Sequence, residues 1–338
     1  MTDVLQICPH DSMPFGLICQ HYHAAADRLG LEMTTIFLAP PSNEPLSFAQ
    51  YEALTDLTDA AALARAMQPY KEHSWPLILC HRYRSYKAVL TARLQGRAIV
   101  AIAHEYGMMA RWQRRIERVV RGRHVQFAGV APAVAAEVSK SPLTLPNVLD
   151  VQAATLSLQS RASARAALGL EPADLIVGVI GRLHYKKRPQ LAIEAFKHFR
   201  RKQSHAKLVF VGDGPLKTDL QAKLPDALFP GAIPNAASLL TAFDAVLHTG
   251  NVDAFGMVIV EAMFAGVPIV APRGQGPEFI LGDLGHYPDE DTAEAFAHAL
   301  SQALTADAAD LLAAGRDRVA AEFSIERLSH HLKGLLAH

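Results

Sequence analysis

Cysteine is scarce: the 338 residues include three, Cys8, Cys19 and Cys80. None stands in CxxC spacing, which excludes a disulfide framework and a Cys-rich zinc site and leaves buried thiols as the expectation. Long apolar runs are missing as well. The run around Leu175 to Ile180 falls far short of the ~20 residues a bilayer requires, and Met1-Thr2-Asp3 puts no basic region ahead of an apolar one. The expected location is the cytoplasm. Net charge is absent, since 33 basic residues meet 33 acidic ones. Gly 21 and Pro 20 are too few for a collagen-like or low-complexity chain, and no internal repeat is visible. What remains is an ordinary globular composition, 50% apolar and 20% charged, over about twice the length of a usual single domain. Two domains are expected.

The charge balance hides a segregation. Between Arg82 and Arg123 eleven Lys/Arg stand against Glu105 and Glu117, a surplus of nine. Such a basic block attracts phosphate, whether on nucleic acid, on anionic lipid or on a small substrate. Within it, residues 108–123 place Met108, Trp112, Ile116, Val119 and Val120 at helical spacing among six arginines. Two readings stand. One is a basic amphipathic helix lying on an anionic membrane surface; the other is a domain helix whose apolar stripe packs on a sheet while its arginines are solvated. Nucleic acid is not an expected partner, because no aromatic-interleaved or helix-turn-helix pattern accompanies the charge.

Short β-branched runs alternate with longer helical patterns, which predicts an α/β protein built from parallel βαβ units. In the first half, strands are expected near Val4–Cys8, Met33–Leu38, Leu77–Cys80, Ala98–Ala103 and Val125–Val130, with helices such as His21–Leu29 and Ala110–Val120. A Pro/Asn stretch at Leu145–Asp150 reads as the linker, and a polar helix at Ser160–Leu168 stops at Gly169. A second set of strands follows: Leu175–Gly181, Lys207–Gly212, Ala227–Phe229, Ala245–His248 and Val267–Ala271. The last stretch, Ser324 to Leu336, is an amphipathic helix with Leu328, Leu332, Leu335 and Leu336 on one face.

Four segments of the second half suit a phosphate or a nucleotide. After the strand ending at Ile180 come Gly181 and the cations Arg182, Lys186, Lys187 and Arg188, at the strand end where open α/β sheets bind ligands; a solvated loop is the plain alternative. Phe210-Val-Gly-Asp-Gly-Pro-Leu216 runs a strand into G-x-G, with Gly212 and Gly214, and is equally a tight turn. Asp253-Ala-Phe-Gly-Met-Val-Ile-Val-Glu261 sets two carboxylates eight positions apart around Phe255, Gly256 and Met257, with a helix expected from about Phe255. Its free N–H groups would face an anion, and the two acids, about two turns apart, are too distant to share a proton and read as holding hydroxyls. Arg273-Gly-Gln-Gly-Pro-Glu278 reads as a Gly-rich loop, a lid on the same cleft.

In this order and spacing, GRL-x3-K (Gly181 to Lys187), VGDGP, D-x-FG-x4-EAM-x-AG-x-P and G-x-G-PE resemble the retaining glycosyltransferases of family 4, over about Pro146 to Glu278. The resemblance implies the GT-B fold, two facing Rossmann-like domains whose closure excludes water. It divides the chain into an acceptor-side domain 1–152, a nucleotide-sugar domain 153–322 and a last helix 323–338 that returns to the first. It also implies transfer of a hexosyl unit from a nucleoside diphosphate sugar, a UDP-sugar before a GDP-sugar, to a glycan or glycolipid acceptor, as in bacterial cell-surface glycan or lipopolysaccharide synthesis. Arg182 and Lys187 would bind the diphosphate, Asp253 the donor sugar and Glu261 the ribose. Amides of Phe255, Gly256 and Met257 would face the diphosphate, and Phe229–Ile233 would lie beside the base.

In the first half, Val100-Ala-Ile-Ala-His104-Glu105 matches the family's strand ending in a His that points at the donor sugar; His81 repeats the pattern more weakly. The family's Gly-Gly turn is replaced by Cys8–Gly16, which leaves His10, Phe15 and Gly16 as acceptor-side candidates, and the first acid is Asp253 where the family has Glu. No metal and no further cofactor is expected. Asp289-Glu-Asp291 has the DxD pattern of metal-dependent transferases, but Asp291-Thr-Ala-Glu294 fits a helix cap with its reciprocal acid, and the cation role is filled by Arg182 and Lys187. The alternatives are a sugar-nucleotide epimerase of the same fold and a nucleic-acid-binding protein using the basic block. A dehydrogenase is disfavoured because no complete GxGxxG follows the first strand.

Overall fold

The apolar runs pair into two parallel sheets. In the computed structural model, which describes residues 3–121, 124–305 and 309–337, the chain divides into a first unit, Met1–Val148 with Ser324–His338, and a second, Leu149–Phe323. The first holds β1 (Val4–Cys8), β2 (Met33–Phe37), β3 (Ala49–Tyr51), β4 (Trp75–His81), β5 (Gly96–Ala103), β6 (Val125–Gly129) and β7 (Leu143–Thr144) in the order β3-β2-β1-β4-β5-β6-β7. The second holds β8 (Leu175–Ile180), β9 (Ala206–Val211), β10 (Leu228–Gly231), β11 (Ala245–Leu247) and β12 (Ile269–Val270) in the order β10-β9-β8-β11-β12. All pairings are parallel.

Each sheet reverses its winding once, between β1 and β4 and between β8 and β11. Connections leave to opposite sides at such a point and open a crevice at the strand carboxyl ends. Strands β1, β4 and β5 are almost continuously apolar because helices cover both faces: Ile7, Leu77, Leu79, Val100 and Ile102 are fully buried. The second core is built likewise from Val177, Ile193, Phe196, Phe210, Phe296 and Leu300. The last helix, Ile325–Ala337, buries Leu328, Leu332 and Leu335. It packs within the first unit, where the Ser329 hydroxyl donates to Ala25 O at 3.0 Å and Arg28 pairs with Glu326 at 2.8 Å.

Several expected elements are corrected. The short strands β3 and β7 were not expected; their few residues carry too little alternation to stand out. The strands expected at Ala227–Phe229 and Val267–Ala271 are instead Leu228–Gly231 and Ile269–Val270. The helix expected from Phe255 starts at Met257, because Gly256 takes φ 104°, outside the helical region. The Gly-rich lid is the start of a helix, Gln275–Leu281, where the Glu278 carboxylate accepts from the Gly274 amide at 2.8 Å. The cap expected at Asp291 is supplied one residue later by Thr292, whose hydroxyl accepts from the Ala295 amide. Asp291 pairs with Arg188 at 2.8 Å and Glu294 with His198 at 3.1 Å.

The largest correction concerns the basic helix, Trp112–Arg121. Its apolar side is the exposed one, with Trp112 66%, Ile116 53% and Val120 70% accessible. Its arginines turn inward: Arg114 and Arg115 donate to the carbonyls of Met108 and Met109, Arg118 to that of Val138. Arg114 and Arg118 also stack on Tyr83 and Phe127 at 4.0 and 4.6 Å. Guanidiniums satisfy several carbonyls and an aromatic face at once, which reverses the side an apolar stripe would normally bury. Arg123 of the block lies outside the described residues.

Candidate functional site

In the second unit the turns after β8 and β9 are tied together. Gly181 N donates to Val211 O at 2.9 Å, Leu183 N to Asp213 O at 2.9 Å and Leu216 N to Leu183 O at 3.2 Å. This places Gly181, Gly212 and Gly214 in one layer beside the winding reversal. The cations follow in a short 3-10 turn, Tyr185–Lys187. Thr249, just past β11, donates to the carbonyls of Lys187 and Arg188 at 2.9 and 3.0 Å, so the two strand ends that flank the reversal are joined. Ile233 is half-buried after β10, whose Phe229 stacks on Phe210 at 4.9 Å.

Around this frame Lys187 Nζ contacts Asp253 Oδ2, and His248 Nε2 lies 3.1 Å from the same oxygen. Burial works to raise the Asp253 pKa, yet His248 and Lys187 together hold it well below the ordinary carboxylate value. Asp253 is therefore ionised at any working pH, an acceptor of hydrogen bonds and not a proton donor. Glu261 is the reverse case: burial pushes it up to about 7, from an ordinary 4.5. Arg182 is exposed. The helix Met257–Ala265 begins beside Asp253 with no side-chain cap, which leaves its first amides free for an anion. The ring of Phe255 is buried against Phe279 and Phe323, which anchors this helix start. At Gly276 a Cβ would come within 2.7 Å of Asp253 O and 2.6 Å of Phe255 O, so the residue packs directly on the Asp253 loop.

In the first unit the register pairs Ile7 with Cys80 and His81 with Ile102 and brings the ends of β1, β4 and β5 level. A buried chain of hydrogen bonds crosses them. Gln6 donates through Nε2 to Cys19 O at 3.1 Å and Thr35 Oγ1 at 3.0 Å, so its Oε1 is the atom 3.0 Å from His81 Nε2. His81 must then donate from Nε2 and accept at Nδ1, which lies 2.9 Å from His104 Nε2. This leaves His104 Nδ1 as the unprotonated nitrogen, buried with the Asn147 side chain beside the ring. Burial lowers His81 to about 3 and His104 well below its usual value, His81 and Arg82 adding to the latter. Both rings are neutral. His10 bonds Arg82 at 2.9 Å, and Phe15 packs edge-on against His10 and His104 at 5.2 and 5.4 Å. Gly16 sits under the turn, its amide donating to Asp11 O at 3.1 Å. Asp11 holds Ser42 N at 2.9 Å and Tyr51 Oη at 2.8 Å and so ties the turn.

Residues 160–317, nearly the whole second unit and all four of Arg182, Lys187, Asp253 and Glu261, match the family described as glycosyl transferases group 1. The second unit is similar to the group 1 glycosyl transferases. Its relatives include a GDP-mannose-dependent alpha-mannosyltransferase of Corynebacterium glutamicum, 37% identical over 113 residues, 33% of this chain and 26% of that one. A D-inositol 3-phosphate glycosyltransferase of Rhodococcus opacus is 32% identical over 217 residues, 56% of this chain and 47% of that one. The matched stretch thus spans less than half the length of either relative. Among solved structures, a glycosyltransferase from Rickettsia africae superposes with a TM-score of 0.78 at 13% identity, covering 99% of this chain and 97% of that one. Anabaena HepE in complex with UDP and glucose gives 0.77 at 17%, covering 100% of both. These likenesses show the GT-B fold.

The described residues bring together Lys187, Asp253 and the Met257 helix start in one unit, and His10, Phe15, His81 and His104 in the other. Two groups lie outside the sequence motifs. His248 had no signal beyond its place at a strand end. Gln6 had one, a polar residue in the middle of the apolar strand Val4–Cys8, which asks for buried partners.

Proposed function

We propose that the chain is a retaining, metal-independent hexosyltransferase that moves a sugar from a nucleoside diphosphate sugar to an acceptor hydroxyl in bacterial cell-surface glycan synthesis. The observation that carries this reading is the contact of Lys187 with an ionised Asp253 beside an uncapped helix start. Lys187, Arg182 and the amides at Met257 would stabilise the diphosphate as charge develops on it. Asp253 would accept a hydrogen bond from a donor-sugar hydroxyl and Glu261 one from the ribose. In the front-face displacement the bond from the anomeric carbon to the diphosphate oxygen breaks, the bond to the acceptor oxygen forms on the same face, and the acceptor proton passes to the leaving diphosphate. UDP is the first base to try, with GDP beside it because a relative is named for GDP-mannose.

The exposed side of Trp112–Arg121 supports a peripheral place at the inner face of the cytoplasmic membrane, facing a glycolipid acceptor. Trp112, Ile116 and Val120 would enter the headgroup boundary while exposed Arg111 meets anionic lipid. No helix among the described residues is long and apolar enough to cross a membrane.

The test is mass spectrometry of products from a panel of UDP- and GDP-sugars with glycan and glycolipid acceptors, and NMR of the new anomeric centre. A retained α-linkage from an α-linked donor is expected. Inversion, or release of no nucleoside diphosphate from any donor, would overturn the proposal, and interconversion of the nucleotide sugars themselves would point to an epimerase.

A further inference from the structure

A concavity in the first unit, of about 230 Å3, has Pro9, His10, Arg82, Arg84, His104 and Arg114 among its walls. Three arginines line it against one carboxylate, Glu105, which pairs with Arg82 at 2.6 Å. Arg114 is held over Tyr83 at 4.0 Å by its bond to Met108 O. Arg84, half-buried, makes no hydrogen bond or ion pair among the described residues. The neighbouring acids are committed elsewhere: Glu117 to Tyr83 and Lys87, Glu137 to the amide of Gly107. Arg84 and Arg114 thus make no ion pair, and the acids Asp56 and Glu105 act on them only at longer range. Like charges held together in a partly buried site disfavour the folded state unless something of opposite sign occupies it.

Two further observations point the same way. Arg82, the first residue of the helix Arg82–Ala92, sits at φ 66°, a left-handed conformation that costs a non-glycine residue energy and is kept where the surroundings impose it. That helix has no side-chain cap, and its first three residues all line the concavity, so the positive end of its dipole lies there. The volume is below the ~300–1,000 Å3 of pockets that take a drug-sized molecule; it suits a phosphoryl group and part of a ring, not a nucleotide.

We propose that this pocket binds the phosphate monoester of a phosphorylated acceptor, the dianion meeting the guanidiniums of Arg84 and Arg114, which make no ion pair of their own. The proposal rests on the reading that the first unit serves the acceptor of a sugar transfer. Its test is calorimetry with the full chain and saturating UDP, which occupies the cations of the second unit. Glucose 6-phosphate, glucose and inorganic phosphate are then titrated. Glucose 6-phosphate and phosphate should bind and glucose should not. Arg84→Ala should weaken both by roughly ten- to a hundredfold, as for loss of a charged hydrogen bond, and Arg84→Glu should abolish binding, with UDP affinity unchanged. Because Arg84 makes no hydrogen bond or ion pair in the fold and sits among like charges, both variants should melt no lower than the parent. Equal affinity for phosphate in the parent and Arg84→Glu, or equal binding of glucose and glucose 6-phosphate, would overturn the pocket. If UDP itself fails to bind while glucose 6-phosphate still depends on Arg84, the pocket stands and the donor reading falls. A parallel titration with phosphatidic acid vesicles assigns the source: the same Arg84 dependence places the phosphate on a lipid, its absence on a soluble acceptor.

Discussion

Lys187, Asp253 and Glu261 fail differently when changed, because each meets a different charge. Lys187→Ala should lower turnover by about a hundredfold at saturating donor, the usual scale for removing one group that stabilises developing charge, whereas exposed Lys140 should tolerate the same change; steady-state kinetics decide. Glu261 makes a prediction in pH. Its folded pKa is raised to about 7 from 4.5 by burial, so ionising it disfavours the folded state. The cost is absent below about pH 4.5, grows through the interval and is complete above about pH 7. Glu261→Gln should therefore be more stable than the parent at pH 8, by about 3 kcal/mol, and the difference should vanish near pH 4.5. Thermal melts of both proteins at each pH test it, and other titrating groups cancel in the difference. A gap that is constant across this range would remove the assignment of burial as the cause.

Helices in this protein are held by arginines as much as by apolar stripes. Arg165, on the helix Arg161–Ala167, is buried and donates to the carbonyls of Ala242, Glu171, Pro172 and Asp174 while pairing with Asp244 at 2.9 Å. Arg165→Ala strands those carbonyls and removes one of the two arginines that pair with Asp244, and should cost on the order of 3 kcal/mol, read by denaturant unfolding. The Trp112–Arg121 helix uses the same device with its apolar side outward. Trp112→Ser with Ile116→Ser should then leave the melt unchanged and abolish co-sedimentation with anionic vesicles, since neither side chain packs on the fold. Arg114 and Arg118 are poor choices for that test, because they hold the helix to the body. If the double variant sediments like the parent, the exposed stripe has no part in membrane attachment.

At the scale of the molecule the chain passes from one unit to the other twice, near Val148 and again near Phe323. A chain ending at Phe323 should lose protection from hydrogen exchange in the Phe15–Asp27 helix, on which the Ser329 hydroxyl and Glu326 act, while β8 and β9 keep theirs. The sequence by itself determined the α/β class, the long central strands, the amphipathic last helix and the motifs with Arg182, Lys187, Asp253 and Glu261. These are properties of local period and of fixed spacing, and they survive in one dimension. Only the tertiary structure decided that Trp112 faces outward, since the inward arginines of its helix found rings and a carbonyl from Tyr83, Phe127 and Val138 on other elements of the first unit. It also set His248 against Asp253, and linked Gln6, His81 and His104 across three strands. Strand order and register bring such residues together, and a parallel sheet keeps neighbouring strands many residues apart in the chain.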